Sequence, residues 1–595
     1  MKTTAEMEQI LRQQGLLRDV MKFGKDDREC ELLGLTYDSR DVGEGTLFIC
    51  KGSTFRAEYL EEAIRRGCAA FLMDEQTFEE MPDVGQMICK NEITGIWREK
   101  SKEGQGGPGN QTEQDCSAGH ISEYIRDKKS SGPGNRIVTG LVVTDIRKAM
   151  AAVSAVFYDY CPGKPKLTGI TGTKGKTTTA WYLKAMLDLW QKEQGGKETG
   201  LISTVENYDG TEHQEAVMTT PEAPVIHKYL ANAREKGLSH MTMEVSSQAL
   251  KYKRVRGMQF QVGIFLNISE DHISPQEHVD FEDYFSAKLS MLRQTDTACI
   301  NLDCEHTDRI LKAARKSGRI VTFGAHQDAD IRYSNMRLEE KTNDKEHCIY
   351  EINAEASGCV NGAEGGIKNS NGGRHLTFQV TCDRFTEQFS LAMRGCFNIE
   401  NAMAAIAAAY VYGVPVHCMK QALAETTVPG RMESFISKDG KICGLVDFAH
   451  NRLSFERLFD AVYGEYSAYR NIITVFGCPG GKALNRRREL GIIAGLFSDY
   501  VCITSDSPGV ECQAKIAGEI RNYVEMTGCP CSCVAERKEA VRYAVSVAAQ
   551  NSEPTLILVL GRGSERFQKI GNQTCAYPKD ASLVEQAIGE YNQNK

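Results

Sequence analysis

The clearest pattern in the chain is an alternation of short apolar runs with longer stretches that are apolar only at helical spacing. KLTGITG (from Lys166), HMTMEV (from His240), VGIFLNI (from Val262), NIITVFG (from Asn471), YVCITSD (from Tyr500) and TLILVLG (from Thr555) are apolar almost throughout. Most end in Gly, Ser or Asp. Runs this short and this continuous predict strands buried on both faces, which is the signature of parallel sheets covered by helices. TTTAWYLKAMLDLW, from Thr177, and FEDYFSAKLSML, from Phe281, carry their apolar residues at helical spacing. The expected fold class is therefore α/β. In parallel sheets ligands gather beyond the carboxyl ends of the strands, where the polar residues cluster here. No fixed-period repeat is present.

Two stretches break the pattern. Residues from about 98 to 136 and from about 354 to 373 are rich in Gly, Ser, Asn and charged residues and poor in branched apolar ones. Such segments bury too little surface to offset their ordering entropy, so mobile surface insertions are expected.

Composition narrows the class. At 595 residues the chain exceeds one ordinary core, and about three or four domains are expected. Hydrophobic content of 41% and charged content of 25% are ordinary for a globular protein. A formal charge of −8 argues against nucleic acid as a partner, because phosphate backbones require a basic face. The N-terminal residues lack the apolar core of a signal peptide, and no run of about 18 apolar residues predicts a membrane span. A cytoplasmic, monomeric protein is expected. The 21 cysteines are then read as reduced thiols. The GCPCSC cluster (Cys529, Cys531, Cys533) has no second pair of Cys or His nearby and is read as a chance grouping.

Chemistry enters at Gly169-Ile-Thr-Gly172-Thr173-Lys174-Gly175-Lys176-Thr177-Thr178-Thr179, between a strand and a helix. Glycines admit a phosphate close to the backbone, and a helix N-terminus offers free N–H groups and positive dipole. Lys176 would reach the β- and γ-phosphates, and the Thr177 hydroxyl would face Mg²⁺. The common spacing is broken, since Ile170 stands where its first glycine belongs. Downstream, Glu244 follows a strand, where a carboxylate suits Mg²⁺ or water; alone, such a group is usually a surface or capping carboxylate. Asn267, Asp271 and His272 end another strand, and Lys288 lies on a helix. Alone, that histidine and that lysine would be read as ordinary polar groups.

Together these residues resemble the Mur ligase family. GTKGKTT, Glu244-Val-Ser-Ser and Asn267 to His272 match its three central motifs, which accounts for the shifted glycines. YDSRDVGEGTLFICKG, TTPEAP, EDYFSAK, GCFNIENAMAAIAA, VPGRMESF, VDFAHN, VFGCPGGK, TSDSPGVE and GRGSERFQ follow in family order. The likeness is strongest to the branch that adds the third stem-peptide residue to UDP-N-acetylmuramoyl-L-alanyl-D-glutamate. The two low-complexity stretches fall outside it.

The resemblance implies three domains: a UDP-sugar domain (1–164), a central P-loop ATPase (165–428) and a C-terminal Rossmann-like amino-acid domain (429–595). It implies ATP and Mg²⁺, with a UDP-muramoyl dipeptide and a free amino acid as substrates. Thr177 and Glu244 would hold one Mg²⁺, and His272 and Lys288, the latter as N6-carboxylysine, the second. A carbamate can bind a cation where an ammonium cannot. Gly172 to Thr178 would bind ATP with Asn398, Arg431, Asp447 and His450. Ser39 would contact the UDP group, and Thr219, Thr220, Ser246 and Arg254 the muramoyl dipeptide. Asp506, Gly561 and Glu565 fall near the incoming amino acid.

For that amino acid, the diaminopimelate-adding branch usually carries Asp-Asn-Pro-Arg, whose arginine grips the second carboxylate. Here the residues are Asp506-Ser507-Pro508-Gly509. The clamp is missing, and L-lysine is the expectation, with meso-diaminopimelate, L-ornithine or another amino acid as alternatives. Arg562 stands where a lysine is usual. Ligases of the same class acting on folate or a cyanophycin-like polymer lack the N-terminal DSR segment. A non-catalytic nucleotide-binding paralogue remains the alternative from another class, although Lys176, Thr177, Glu244, His272 and Lys288 are all present. A plain P-loop NTPase would need none of the ordered motifs after the loop.

Overall fold

The computed structural model describes residues 2–23, 29–52, 55–81, 96–99, 137–274, 277–342, 345–352 and 374–595. Both low-complexity stretches lie outside these residues, apart from Arg98 and Glu99. Those two close the strand Ile96–Glu99, which pairs with Leu17–Phe23.

The chain packs as two compact units. One holds residues 1–161 together with 221–231 and 251–258; the other holds 162–220, 232–250 and 259–595. Two segments of the span expected to be central therefore pack with the first unit.

The first unit is built on a six-stranded sheet. Gly34–Thr36, Thr46–Ile49, Cys68–Asp74 and Val138–Val143 run parallel, and Leu17–Phe23 joins antiparallel. Its apolar runs are buried on both faces: Leu47, Ile49, Leu72 and Leu141 face one core, Phe48, Phe71 and Val138 the other.

Among the described residues the second unit carries two large sheets and a two-stranded ribbon, Phe567–Ile570 with Gln573–Ala576. In the larger, the parallel strands Gly200–Ile202, His240–Glu244, Lys166–Thr171, Phe260–Phe265, Thr295–Asn301 and Arg319–Gly324 lie side by side in that order. An antiparallel extension follows, including Arg374–Thr381 and Thr386–Leu391. The strand Lys166–Thr171 thus sits between His240–Glu244 and Phe260–Phe265, so the residues that follow all three converge. The helix Phe397–Tyr412 is buried on nearly every side, and its alanine run lets it approach the helix Lys176–Glu193 closely.

The smaller sheet orders Ile442–Asp447, Thr555–Leu560, Asn471–Phe476, Tyr500–Ile503 and Cys531–Cys533 in parallel, with Glu433–Ile436 antiparallel at one edge. The expected strands at 166, 240, 262, 471, 500 and 555 are all present. Among the described residues no helix is long and apolar enough to cross a membrane.

Candidate active site

The phosphate loop connects Lys166–Thr171 to Lys176–Glu193. Gly175 is the N-cap at φ 86°, a left-handed conformation suited to glycine, and a Cβ there would lie 2.0 Å from Asn401 Oδ1. Asn267 clamps the loop: its Oδ1 accepts from the Lys174 N–H at 2.9 Å, and its Nδ2 donates to the Lys174 carbonyl at 3.2 Å. Lys176 Nζ donates to the carbonyls of Gly172 (2.9 Å) and Thr173 (3.2 Å). Thr173 and Thr178 are buried in the same turn.

Glu244 meets this loop from the neighbouring strand. Thr177 Oγ1 donates to its Oε2 at 3.1 Å, and the Thr204 N–H donates to its Oε1 at 2.7 Å. The carboxyl is buried, and burial pushes its pKa up even though Lys176 pulls it down. A buried carboxylate touching only hydroxyls and an N–H is a ready ligand for a divalent cation.

Lys288 is equally buried, and its Nζ donates to the Gly172 carbonyl at 2.8 Å and stands 4.7 Å from the centre of the Tyr284 ring. Burial, then the repulsion of Lys176, hold its pKa well below the ordinary lysine value. A neutral buried amine is a nucleophile that can add to CO₂, releasing a proton and gaining the oxygens a cation needs. His272 lies across the same Tyr284 ring, with ring centres 6.1 Å apart. Its backbone is strained at φ 58°, and Nδ1 is hydrogen-bonded to Glu277 Oε1 at 2.9 Å. Strain of this kind persists where a site over-determines the conformation. The donor set thus fits Mg²⁺: oxygens at Thr177 and Glu244, and an imidazole and a carbamate-forming amine at His272 and Lys288.

The smaller sheet supplies the opposite wall. Arg431 Nη2 lies 3.5 Å from Thr177 Oγ1, and its guanidinium covers the Phe448 ring. Asp447 accepts the N–H groups of Met432 (3.0 Å) and Ala449 (2.8 Å). His450 Nδ1 donates to the Phe448 carbonyl at 2.7 Å, leaving Nε2 as acceptor, and burial keeps the ring neutral. Asn398 is buried, accepts from Asn401 Nδ2 at 3.0 Å, and so lines up behind Gly175.

Asp271 ties the two sheets together. Asn451 Nδ2 donates to its Oδ2 at 2.5 Å and Arg486 Nη2 to its Oδ1 at 3.0 Å, while Lys174 Nζ sits 3.5 Å away. Burial would raise this carboxyl, but Lys174, His272 and Arg486 together hold it well below the usual range. Arg486 and Thr204 had no signal in the sequence pattern; Asn451 and Tyr284 lie within the VDFAHN and EDYFSAK motifs, but no role was read for them.

Beyond the strands of the smaller sheet, Asp506 and Glu565 form an acidic pair. Burial raises both, and Glu565 reaches about 7, helped by repulsion from Asp506. Gly561 closes against them, its built Cβ 3.7 Å from Asp506 Oδ2. Gly509 has φ 58° with open space around it, a conformation in which an arginine would be strained. Arg562 is fully buried, donates from Nη2 to the Phe567 carbonyl at 2.6 Å and stacks near Tyr577. Behind the pocket, Arg537 and Asp580 form a wholly buried ion pair at 2.7 Å, and Arg537 Nη2 also holds the Leu560 carbonyl at 2.8 Å.

Thr220 accepts the Ser246 N–H at 3.0 Å, and Thr204 Oγ1 donates to Thr219 Oγ1 at 3.1 Å, which places these three expected substrate contacts beside Glu244. Arg254 belongs to the first unit, where it shares Glu222 with Lys51 at 3.0 and 2.8 Å. Ser39, also in the first unit, opens a short turn capped by Asp38.

A phosphate loop with a buried carboxylate beside it, facing an acidic pocket, is the arrangement of a nucleotide-dependent ligase. Residues 170–409 match the model of the Mur ligase middle domain, and 430–563 that of the Mur ligase glutamate ligase domain. The chain is 32% identical to the UDP-N-acetylmuramoyl-L-alanyl-D-glutamate–L-lysine ligase of Enterococcus faecalis, over 94% of this chain and 92% of that one. It is 30% identical to the UDP-N-acetylmuramyl-tripeptide synthetase of Bifidobacterium longum, over 99% of both. The fold is shared with MurF ligase of Thermotoga maritima in complex with ADP (TM-score 0.52, 13% identity, covering 95% and 98% of the two chains). The protein belongs to the Mur ligase family.

Proposed function

We propose that this ligase joins L-lysine to a D-glutamyl carboxylate of UDP-N-acetylmuramoyl-L-alanyl-D-glutamate, converting ATP to ADP and phosphate, in peptidoglycan precursor synthesis in the cytoplasm. It acts as a monomer. The three spans 1–164, 165–428 and 429–595 serve the UDP group, the nucleotide and the amino acid. The observation that carries the choice of lysine is the acidic pair Asp506 and Glu565 with glycine at 509. Two half-buried carboxylates side by side favour an ammonium and disfavour a second carboxylate.

The substrate carboxylate is a poor electrophile. The phosphate-loop N–H groups and Lys176 hold the β- and γ-phosphates of ATP in line with it, so that the γ-phosphoryl group transfers and an acyl phosphate forms. The lysine amine attacks the acyl carbon, and inorganic phosphate leaves as the tetrahedral intermediate collapses. Thr177 with Glu244, and His272 with carbamylated Lys288, would hold Mg²⁺, which would offset charge on the phosphoryl group. Asn398, Arg431, Asp447 and His450 position the nucleotide from the side of the smaller sheet. Thr219, Thr220, Ser246 and Arg254 hold the muramoyl dipeptide, and Ser39 the UDP group. Asp506, Gly561 and Glu565 orient the lysine.

The test incubates the protein with ATP, Mg²⁺ and the UDP-muramoyl dipeptide, offering L-lysine, meso-diaminopimelate and L-ornithine in parallel. Product heavier by lysine less water, with diaminopimelate inert, is expected. Product with another amino acid would retain the ligase and overturn lysine. Nucleotide binding with no product from any amino acid would overturn the catalytic reading in favour of a nucleotide-binding paralogue.

A further inference from the structure

We propose that Glu193, His417 and Cys418 form a transition-metal site of the kind zinc(II) fills, apart from the ligase centre. Glu193 is the last residue of the helix Lys176–Glu193, and His417 and Cys418 lie in the first turn of Val416–Glu425, which packs against it. Their donor atoms converge. His417 Nε2 lies 2.7 Å from Glu193 Oε1, and Cys418 Sγ lies 3.4 Å from both Glu193 Oε2 and His417 Nε2. All three ligand atoms fall within 4.8 Å of one another.

Zinc bound tetrahedrally to one sulfur, one nitrogen and one oxygen sets its ligands about 3.2–3.6 Å apart. The two edges that meet at Sγ, to Nε2 and to Oε2, already have that length, and Nε2 would have to release its 2.7 Å contact with the other carboxylate oxygen, Oε1, opening by about half an ångström. Cys418 is buried at the back, whereas the His417 and Glu193 side chains are 64% and 49% exposed. A fourth position therefore opens to solvent and would take a water. The donor set is selective: thiolate and imidazole suit zinc, cobalt or copper and are poor ligands for Mg²⁺, which the oxygen donors of the ligase centre prefer. Burial and the neighbouring Glu193 push the Cys418 thiol up to about 11, so binding must release its proton to solvent. An ion here would pin the far end of the phosphate-loop helix to the helix that precedes Arg431.

The experiment uses reduced, full-length protein stripped of metal, titrated with Co²⁺ and then Zn²⁺ alone, with Mg²⁺ in excess throughout. One equivalent of Co²⁺ is expected to give thiolate-to-cobalt charge-transfer absorption that Zn²⁺ removes. Cys418→Ser should abolish that absorption, and a variant lacking Cys531 and Cys533 should keep it. His417→Gln and Glu193→Gln alter exposed residues and should not impair folding; each should weaken Zn²⁺ binding at least about tenfold. Zn²⁺ should raise Tm in the wild type and not in His417→Gln. Absence of binding, absorption surviving Cys418→Ser, or affinity unchanged by both glutamine variants would overturn the site.

Discussion

Lys288 shows how far a single residue's meaning depends on its surroundings. In the sequence it is an unremarked lysine on an amphipathic helix, and its role there comes only from a family resemblance. In the structure its burial and the repulsion of Lys176 push its pKa well below the ordinary lysine value, which favours the neutral amine that carbamylation needs. Lys288→Arg keeps a long side chain but fixes a positive charge there and cannot be carbamylated. It should lower kcat at least about 100-fold while ADP affinity changes little, as steady-state kinetics and calorimetry would show. Glu565 is a second case. Glu565→Gln should raise KM for lysine with a smaller effect on KM for ATP, because one of the two half-buried carboxylates proposed to face the amino acid is lost. Equal effects on both substrates would remove it from the amino-acid pocket.

At the level of elements, the phosphate-loop turn and the helix Phe397–Tyr412 are one assembly. The loop was readable from its glycines and lysine, because its conformation is a local matter. Asn401, which fills the space a Cβ on Gly175 would need, was not, since over two hundred residues separate the two. Gly175→Ala should cost about 1–3 kcal/mol from backbone strain alone, with the clash added, and should abolish nucleotide binding. Denaturant melts and ADP titration check both. Glu465 gives a prediction with a sign. It is fully buried, and both its oxygens accept the Gly395 N–H at the start of that helix, at 2.8 and 3.0 Å. Burial raises it to about 7 from an ordinary carboxyl value of 4.5. The folded state therefore binds the proton more tightly than the unfolded chain. Stability from this group is full below about pH 4.5 and falls as pH rises through about 7, by up to ~3 kcal/mol. Relative to wild type, Glu465→Gln should gain stability over that window. A flat difference in unfolding free energy between pH 4.5 and 8 would contradict it.

Across the second unit, the cohesion of the site rests on Asp271. The α/β class, the strands and the motif residues were legible because buried parallel strands and phosphate loops have local signatures. The pairing of Asp271 with Asn451 and Arg486 was not, because contacts between segments about 180 and 215 residues apart leave no periodic trace. Both partners reach it from helices packed on the smaller sheet, so this carboxylate joins the phosphate loop to that sheet. Asp271→Asn and Arg486→Ala should each raise KM for ATP and lower kcat about tenfold or more. Their combination should cost much less than the sum, as expected for one shared ion pair. Additive losses would show that they act separately.

The buried pair of Arg537 and Asp580 makes the tail of the chain part of the pocket wall. Asp580 opens the final helix, Asp580–Gln593, while Arg537 holds the end of the strand Thr555–Leu560. Clipping the chain just before that helix would strand a guanidinium in the interior, a loss of about 3–5 kcal/mol. Losing residues 580–595 would also uncover Val446 and Ile557, which share a core with Val584 and Ile588, so the damage would begin in the smaller sheet and not at the phosphate loop.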